Sequence, residues 1–447
     1  MSEENRWSSR IGFILATTGA AVGLGNIWKF AYMAGAHGGS AFVLVYLLCV
    51  IGVGIPLMMG EMLLGRIGRS DAVSSMRNLA KRFKQHPSWS LVGWLGALTL
   101  LLVLSFYSVV AGWSLFYVKQ TLEHHFVHMQ PAQIQHIWQN LLAKPSVMLI
   151  YHSSFMALTV WVVAHGVQKG LEKAAKMMMP ALFGILIILV GYAASTPGFN
   201  QGVEFLFHFD WTHITPDIAI SALGHAFFTL AVGAGCILVY GAYLTDNARI
   251  GPTVVIITAL DVFVAILSGL AIFPLVFTYH LAPAAGPGLM FETLPIAFAQ
   301  MGGGFWFGLL FFFLLLFAAW TSSISLVEPL AALLIQRFNF KRWPACICVG
   351  ITAWALGLLT IFSFNLLHSF KPFWHRNIFN LVTDIATNIL LPLGGLGFTC
   401  FVAYCVPKKV LLNSLKFQYR FSFNCWYFAI RYITPIGILI ILLGSWI

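Results

Sequence analysis

The stretch GAAVGLGN, residues 19–26, interrupts an apolar run of about 11–33 with glycines at positions 19, 23 and 25. In the interior of a membrane-length helix each glycine costs about 1 kcal/mol relative to alanine. Glycine also frees the backbone to leave the helix, and inside a bilayer an unwound backbone persists only where protein, water or a bound ion satisfies its carbonyls. The stretch therefore reads as a binding site. Glycines that only let two spans pack closely are the competing reading, which would hold if nothing downstream repeated the pattern.

Of the 447 residues, 59% are apolar and 9% are charged, with 39 Phe. A water-soluble core needs no such excess, and apolar runs of about 18 residues or more are transmembrane candidates. An all-α polytopic membrane protein is expected. Its eleven spans fall at about 10–33, 40–65, 91–118, 147–165, 177–195, 218–244, 252–280, 303–335, 344–364, 377–406 and 427–447. The last is the weakest, because Arg431 leaves only a short apolar run after it. The polar N-terminus holds Glu3, Glu4, Arg6 and Arg10, and no small-residue cleavage site follows the first run. No signal peptide is expected, and the first span stays in the mature chain.

A net charge of +11 could suggest nucleic acid. The placement of the charge argues otherwise. With a cytoplasmic N-terminus, 19 of the 25 basic residues fall in inner segments and four (Lys119, Lys144, Lys371 and Arg376) in outer ones. This is the positive-inside pattern that orients helices, in a cell membrane of multi-pass topology with the C-terminus outside. The seven cysteines show neither a disulfide framework nor a metal spacing. The outer loop from 121 to 144 carries His124, His125, His128 and His136. Solvated loop histidines are the expectation there and a surface zinc site the rival. A Gly- and Pro-rich stretch around a short apolar segment, 291–299, reads as a re-entrant or capping hairpin over an outward vestibule.

The first break has an echo. AVGAG, residues 231–235, again interrupts a membrane helix near its centre, and two interrupted spans at corresponding places in two five-span halves point to an inverted-repeat transporter with its site at the midplane. The expected halves are 10–195 and 218–406, with 427–447 as an additional span, all in one transmembrane domain.

RWSSRIGFILATTGAAVGLGNIWKF (6–30) resembles the opening signature of the neurotransmitter:sodium symporter family, bacterial branch. GIPLMMGEMLLGR, FFTLAVGAG, AWTSSISLVEP and VTDIATNILLPLGG resemble its later motifs, in family order. The resemblance runs from about residue 7 to 405. It implies spans 1 and 6 unwound at mid-membrane and sodium-coupled import of an amino acid by alternating access. The alternative on the same fold is a non-transporting, sensor-like binding protein, or a proton-coupled one.

Sodium is a hard cation that takes oxygen ligands, and carbonyls freed at a helix break supply them without burying a full charge. By the resemblance, one sodium site uses the carbonyls of Gly19, Val22 and Ala318 with the hydroxyls of Thr321 and Ser322. Read on chemistry alone, TSS in a membrane helix more often bonds back to its own carbonyls. The other site uses the carbonyl of Ala21, the amide oxygen of Asn26, Thr229 and Asp261, where a bacterial leucine transporter of the family has Asn. Chloride-dependent relatives recruit an anion near this place. Asp261 puts a fixed negative charge there, so two sodium ions and no chloride are expected. Titration of a proton at Asp261 is the rival reading, since an acid in an apolar helix is costly unless paired or protonated.

The same resemblance puts the substrate carboxylate on the positive end of the inner half of the broken first helix, at Gly23 and Gly25, touching the sodium at Asn26. Tyr107 matches the tyrosine that hydrogen-bonds it. The amine lies near the carbonyls of Phe228 and Ala231. The side-chain pocket is implied at Ala20, Val103, Phe228, Ala231, Ala234, Ser325 and Leu326, none of them charged. A neutral apolar amino acid fits that lining. Ala234 stands where the leucine transporter has Phe and leaves room for an aromatic or branched side chain. A monoamine is disfavoured because Ala20 stands where monoamine relatives carry Asp.

Lys29 and Asp384 match the outer gate pair, with Phe228 as the lid and His225 beside the pair. Lys cannot form the bidentate fork of the usual Arg, so a looser closed gate is expected. A protonating His225 would make closure pH-sensitive, and a buried neutral imidazole is the alternative. On the inner side the family's Arg is Glu4 here and its Asp partner is Gln336, which leaves Trp7 and Tyr243 to close that end. Glu61 is expected to accept hydrogen bonds from the broken backbones of spans 1 and 6. Glu328 has no role legible in the sequence. An intramembrane enzyme needs paired groups at depth, but Glu61, Asp261, Glu328 and Asp384 are dispersed and neither HExxH nor GxSxG occurs. A channel would show a polar stripe through several spans, whereas polarity here gathers at two breaks.

Overall fold

The structure is a computed structural model that describes residues 7–126, 129–209, 214–245, 248–281, 288–371, 373 and 375–444. Among the described residues the regular elements are helices, with one isolated strand-like pairing of Phe373 and Arg376. Nine helices there are long and apolar enough to cross a membrane: Ser40–Gly68, Pro87–Leu122, Pro145–Ala164, Val167–Ala193, Ile250–Thr278, Gly304–Phe338, Arg342–Phe362, Ile378–Cys405 and Arg420–Gly444. Arg10–Ala21 and Gly25–Ala36 qualify only together, bent by 52° at the break between them. The sixth expected span is likewise in two pieces, Pro216–Thr229 and Cys236–Ala242. Each of the eleven expected spans thus has a helix or a broken pair in its place.

Three boundaries differ for physical reasons. The fifth span starts at Val167, ten residues before the apolar run, because its first turns carry Lys169, Lys173 and Lys176 and so look polar. The last starts at Arg420 and passes through Arg431 without stopping. There Nη1 donates to the Tyr427 hydroxyl at 2.6 Å and the guanidinium lies 5.0 Å from the Tyr404 ring centre, an aromatic setting that shelters the charge. The expected outer loop of 121–144 contains a helix, Pro131–Ala143, with Ile134, Trp138 and Leu141 buried.

The capping segment expected near 291–299 is helical, Leu289–Thr293 followed by Leu294–Gln300, with Leu289, Met290, Phe291 and Leu294 buried. It packs on Trp113 and Trp138, and the Tyr117 hydroxyl donates to the Phe291 carbonyl at 2.5 Å. Residues 282–287 of that loop lie outside the described residues.

The first span lies against the seventh and eighth, and the eighth runs along the third. The second half of the broken sixth span packs on the second span. Large apolar side chains such as Ile11, Leu48, Ile51 and Ile187 stay exposed on the outside of this bundle, as lipid-facing positions do. The polar groups gather at the centre.

Candidate functional site

The first helix ends at Ala21. Val22 is extended (φ −71°, ψ 107°), its N–H reaching back to the Thr18 carbonyl at 2.6 Å, and helix resumes at Gly25. The second break is sharper, with Ala231, Gly233 and Gly235 all at positive φ (52°, 92° and 75°). Only glycine adopts the Gly233 angle without strain, and any side chain at that residue would run into the Leu391 carbonyl. Each break exposes backbone groups that need partners at depth.

The partners are specific. The Leu24 N–H donates to the Tyr107 hydroxyl at 2.9 Å and the Gly23 N–H to the Asn26 amide oxygen at 3.0 Å. The Gly233 N–H donates to Glu61 Oε1 at 2.5 Å. Glu61 was expected to serve both breaks. Among the described residues it serves the second, while Tyr107 and Asn26 serve the first.

The two sodium-type oxygen sets lie on either side of the first break. The Ser322 hydroxyl is 3.1 Å from both the Gly19 and the Val22 carbonyls, and the Thr321 hydroxyl is 3.1 Å from the Ala318 carbonyl. Thr321 also bonds back to Phe317 at 3.0 Å, so the back-bonded reading and the cross-span reading are both realised, Thr321 for the first and Ser322 for the second. In the other set Asp261 takes hydrogen bonds from Thr229 at 2.5 Å and from the Asn26 amide at 2.7 Å, with the Tyr46 hydroxyl at 3.4 Å. Asn26, Thr229 and Asp261 are all buried. Ala21 lies beside them on the wall of the central cavity.

That cavity offers about 500 Å³ of unfilled space. Of the expected substrate positions, Ala20, Gly23, Gly25, Val103, Tyr107, Phe228, Ala231, Ala234 and Leu326 line it. Ser325 does not. Its hydroxyl donates to the Thr321 carbonyl at 3.0 Å and accepts from Tyr240 at 2.8 Å, on the far side of the eighth span. Leu100 and Leu391 line the cavity and were not legible in the sequence, since an apolar residue in an apolar span carries no signal. Gly23 is where a side chain is least tolerable: a Cβ there would stand 2.5 Å from Ser322 Oγ and 2.6 Å from the Tyr107 hydroxyl.

One expectation about polarity is reversed. The half preceding the first break, Arg10–Ala21, turns its carbonyl end to the cavity, and the half following it, Gly25–Ala36, turns its amide end there. The positive end available to a carboxylate belongs to the outer half, not the inner one.

The gates also differ. Asp384 is ion-paired with Arg376 and accepts from the Asn388 amide at 3.2 Å, and it makes no ion pair with Lys29 within 4 Å. The Lys29 ammonium instead sits over the Phe228 ring, 4.5 Å from its centre. His225 is fully buried among Phe30, Phe42 and Tyr46, with ring centres 5.2 to 6.0 Å away, and neither ring nitrogen has a partner. At the other end Trp7 Nε1 donates to the Tyr240 carbonyl at 3.3 Å and its ring meets Tyr240 and Tyr243. Tyr243 donates to Glu328 at 2.8 Å, and Glu328 pairs with Arg342 at 2.5 Å. Arg342 is the residue the sequence reading missed, because it stands in a cluster with Arg337 and Lys341 that reads as an ordinary basic loop. Gln336 accepts from the Ser70 hydroxyl at 2.6 Å and the Asp71 N–H at 2.8 Å, while Glu4 lies outside the described residues.

Among the described residues no group of three His, Cys, Asp or Glu could hold a metal. His124 stacks on Phe305, His125 bonds Gln120 and His136 bonds Asn140, while His128 lies outside the described residues. All seven cysteines are unpaired.

The sodium:neurotransmitter symporter family is matched over residues 4–145 and 133–446. The chain belongs to that family. An uncharacterized sodium-dependent transporter of Bacillus subtilis strain 168, YhdH, is 36% identical over 99% of this chain and 98% of its own length. An uncharacterized sodium-dependent transporter of Haemophilus influenzae is 29% identical over 99% and 98%. The crystal structure of MhsT in complex with L-phenylalanine superposes with a TM-score of 0.92 at 38% identity, covering 99% of both chains. Membership of the sodium:neurotransmitter symporters makes this chain a sodium-dependent membrane transporter and not an enzyme.

Proposed function

We propose that the protein imports a neutral apolar or aromatic amino acid across the cell membrane by sodium-coupled symport. The observation that carries this is the cavity between the two breaks, whose lining has no charged side chain and whose polar atoms are backbone groups, Tyr107, Thr229 and Ser322. Such a lining suits a zwitterion: the amide end of the outer half-helix for the carboxylate, carbonyls near Phe228 for the amine, and apolar walls for the side chain. The phenylalanine bound to MhsT supports an aromatic side chain.

Two sodium ions fit the two oxygen sets. Each is worth about 2.3 kcal/mol per 100 mV, so the pair supplies about 4.6 kcal/mol and more than a thousandfold accumulation of a zwitterion. Asp261 provides the negative charge beside one ion, and chloride is not required. The halves 10–195 and 218–406 are the inverted repeats that rock about the site, and 427–447 is an added span. Positive-inside charge supports a cytoplasmic N-terminus.

Uptake into proteoliposomes under an imposed sodium gradient, with a panel of amino acids and binding measured in parallel, tests this reading. Concentrative uptake of aromatic or branched amino acids without chloride is expected. Binding with no uptake would mean a sensor, and uptake driven by a proton gradient alone would remove sodium coupling.

A further inference from the structure

A second groove, larger than the central cavity at about 890 Å³ of unfilled space and partly open to the surroundings, lies where the fourth, fifth and eighth spans meet. Its lining changes character along its length. On the fifth span Lys169, Lys173 and Met177 follow at intervals of four and so share one face. On the fourth span, which runs antiparallel to the fifth, the lining goes from His165 to Trp161 in the same sense. Both walls are cationic or polar at one end and apolar at the other, where Trp320 of the eighth span completes the lining.

The charge at the polar end has no acid paired with it among the described residues: neither Lys169 nor Lys173 has an ion-pair partner there. Glu172, the acid nearest to them in sequence, is committed elsewhere: it pairs with Lys176 at 2.7 Å and accepts from the Ser8 N–H at 2.8 Å. Met177 and Trp161 remain 67% and 56% exposed, so the apolar end faces the hydrocarbon.

We propose that this groove binds an anionic phospholipid, its phosphate against Lys169 and Lys173 and one acyl chain along Met177, Trp161 and Trp320. The charge complementarity selects the headgroup and the apolar trough selects the chain. The site is separate from the central cavity, so its test does not depend on which substrate is transported.

Native mass spectrometry of the full chain in nonionic detergent, titrated with dioleoyl phosphatidylglycerol or dioleoyl phosphatidylcholine, compares two lipids with the same chains and different charge. At low ionic strength a preference of about thirtyfold for phosphatidylglycerol is expected from two lysines, falling as salt rises. K169Q/K173Q should bring the two lipids to near-equal affinity by weakening phosphatidylglycerol far more than phosphatidylcholine, and A174F, which fills the trough, should weaken both. Inorganic phosphate should not displace the bound lipid. Equal affinity of the wild type for both lipids, a preference indifferent to salt or retained in K169Q/K173Q, unchanged binding in A174F, or displacement by phosphate would each overturn the proposal.

Discussion

Asn26 and Asp261, 235 positions apart, are joined by a 2.7 Å hydrogen bond from the Asn26 amide to the Asp261 carboxylate, and the same amide reaches the Asp261 backbone carbonyl at 3.1 Å. The first helix break and the seventh span are therefore one unit. On the proposed reading, an ion at Asp261 would act directly on the backbone that lines the central cavity.

Asp261→Ala removes the acceptor for two buried donors, Asn26 and Thr229. Losing a charged hydrogen-bond partner costs about 1.5–3 kcal/mol, so the sodium concentration for half-maximal uptake should rise about tenfold or more. On the sodium reading proposed above, protonation of the same carboxylate would oppose the ion, so in the wild type that concentration should rise as pH falls. Sodium-dependent uptake unaltered by D261A would dissociate the carboxylate from both roles.

Gly23→Ala tests the closeness of the first break to its surroundings. Its Cβ would lie within 2.6 Å of both Ser322 Oγ and the Tyr107 hydroxyl. Relaxing that contact separates Ser322 from the Gly19 and Val22 carbonyls, with an overpacking cost of about 1–3 kcal/mol. Substrate affinity measured by scintillation proximity should fall about tenfold or more while the protein still elutes as a monodisperse species.

Arg342→Met leaves Glu328, which is fully buried, without its cation. An uncompensated buried charge costs about 3–5 kcal/mol, so R342M should lower the thermal midpoint markedly and speed labelling of a cysteine placed at the Trp7 end. The double variant E328Q/R342M, which removes both charges, should recover much of the stability. Equal loss in the single and double variants would show that the pair itself is not what matters.

Arg376→Gln frees Asp384, which Arg376 now holds. Released, Asp384 becomes available to Lys29, and Lys29 would leave the Phe228 ring on which it rests. The outer side should then close more readily, seen as slower modification of a cysteine introduced at Leu100 on the cavity wall. Faster modification in R376Q would mean that Arg376 itself belongs to the closed gate.

Ala234→Phe fills the wall of the central cavity beside Leu326 and Val103. Competition assays should show aromatic amino acids losing affinity by about tenfold or more relative to small aliphatic ones, since an overfilled pocket forfeits about 1–3 kcal/mol.

The helix breaks were legible because glycines in an apolar run are costly and so conspicuous, whereas the oxygen donors were implied only by the family resemblance, since on chemistry alone Thr and Ser in a membrane helix bond back to their own carbonyls. The eleven spans followed from hydropathy, except where Lys169 and Lys173 lie in turns left out of the fifth span and where the last helix begins at Arg420, before the expected residue 427. Leu100 and Leu391 could not be picked out, since nothing but position in space separates them from other leucines.

By itself, the sequence determined that this is a multi-span membrane protein with two interrupted helices. Local chemistry sufficed for that, because unwound backbone inside a bilayer demands glycine and polar partners. Tertiary structure alone decided the pairings: Asp384 with Arg376 and not Lys29, Glu328 with Arg342 and Tyr243, Ser325 with Tyr240 outside the cavity. Long side chains choose among several oppositely charged or polar neighbours within reach, and which neighbour is near depends on how distant spans pack.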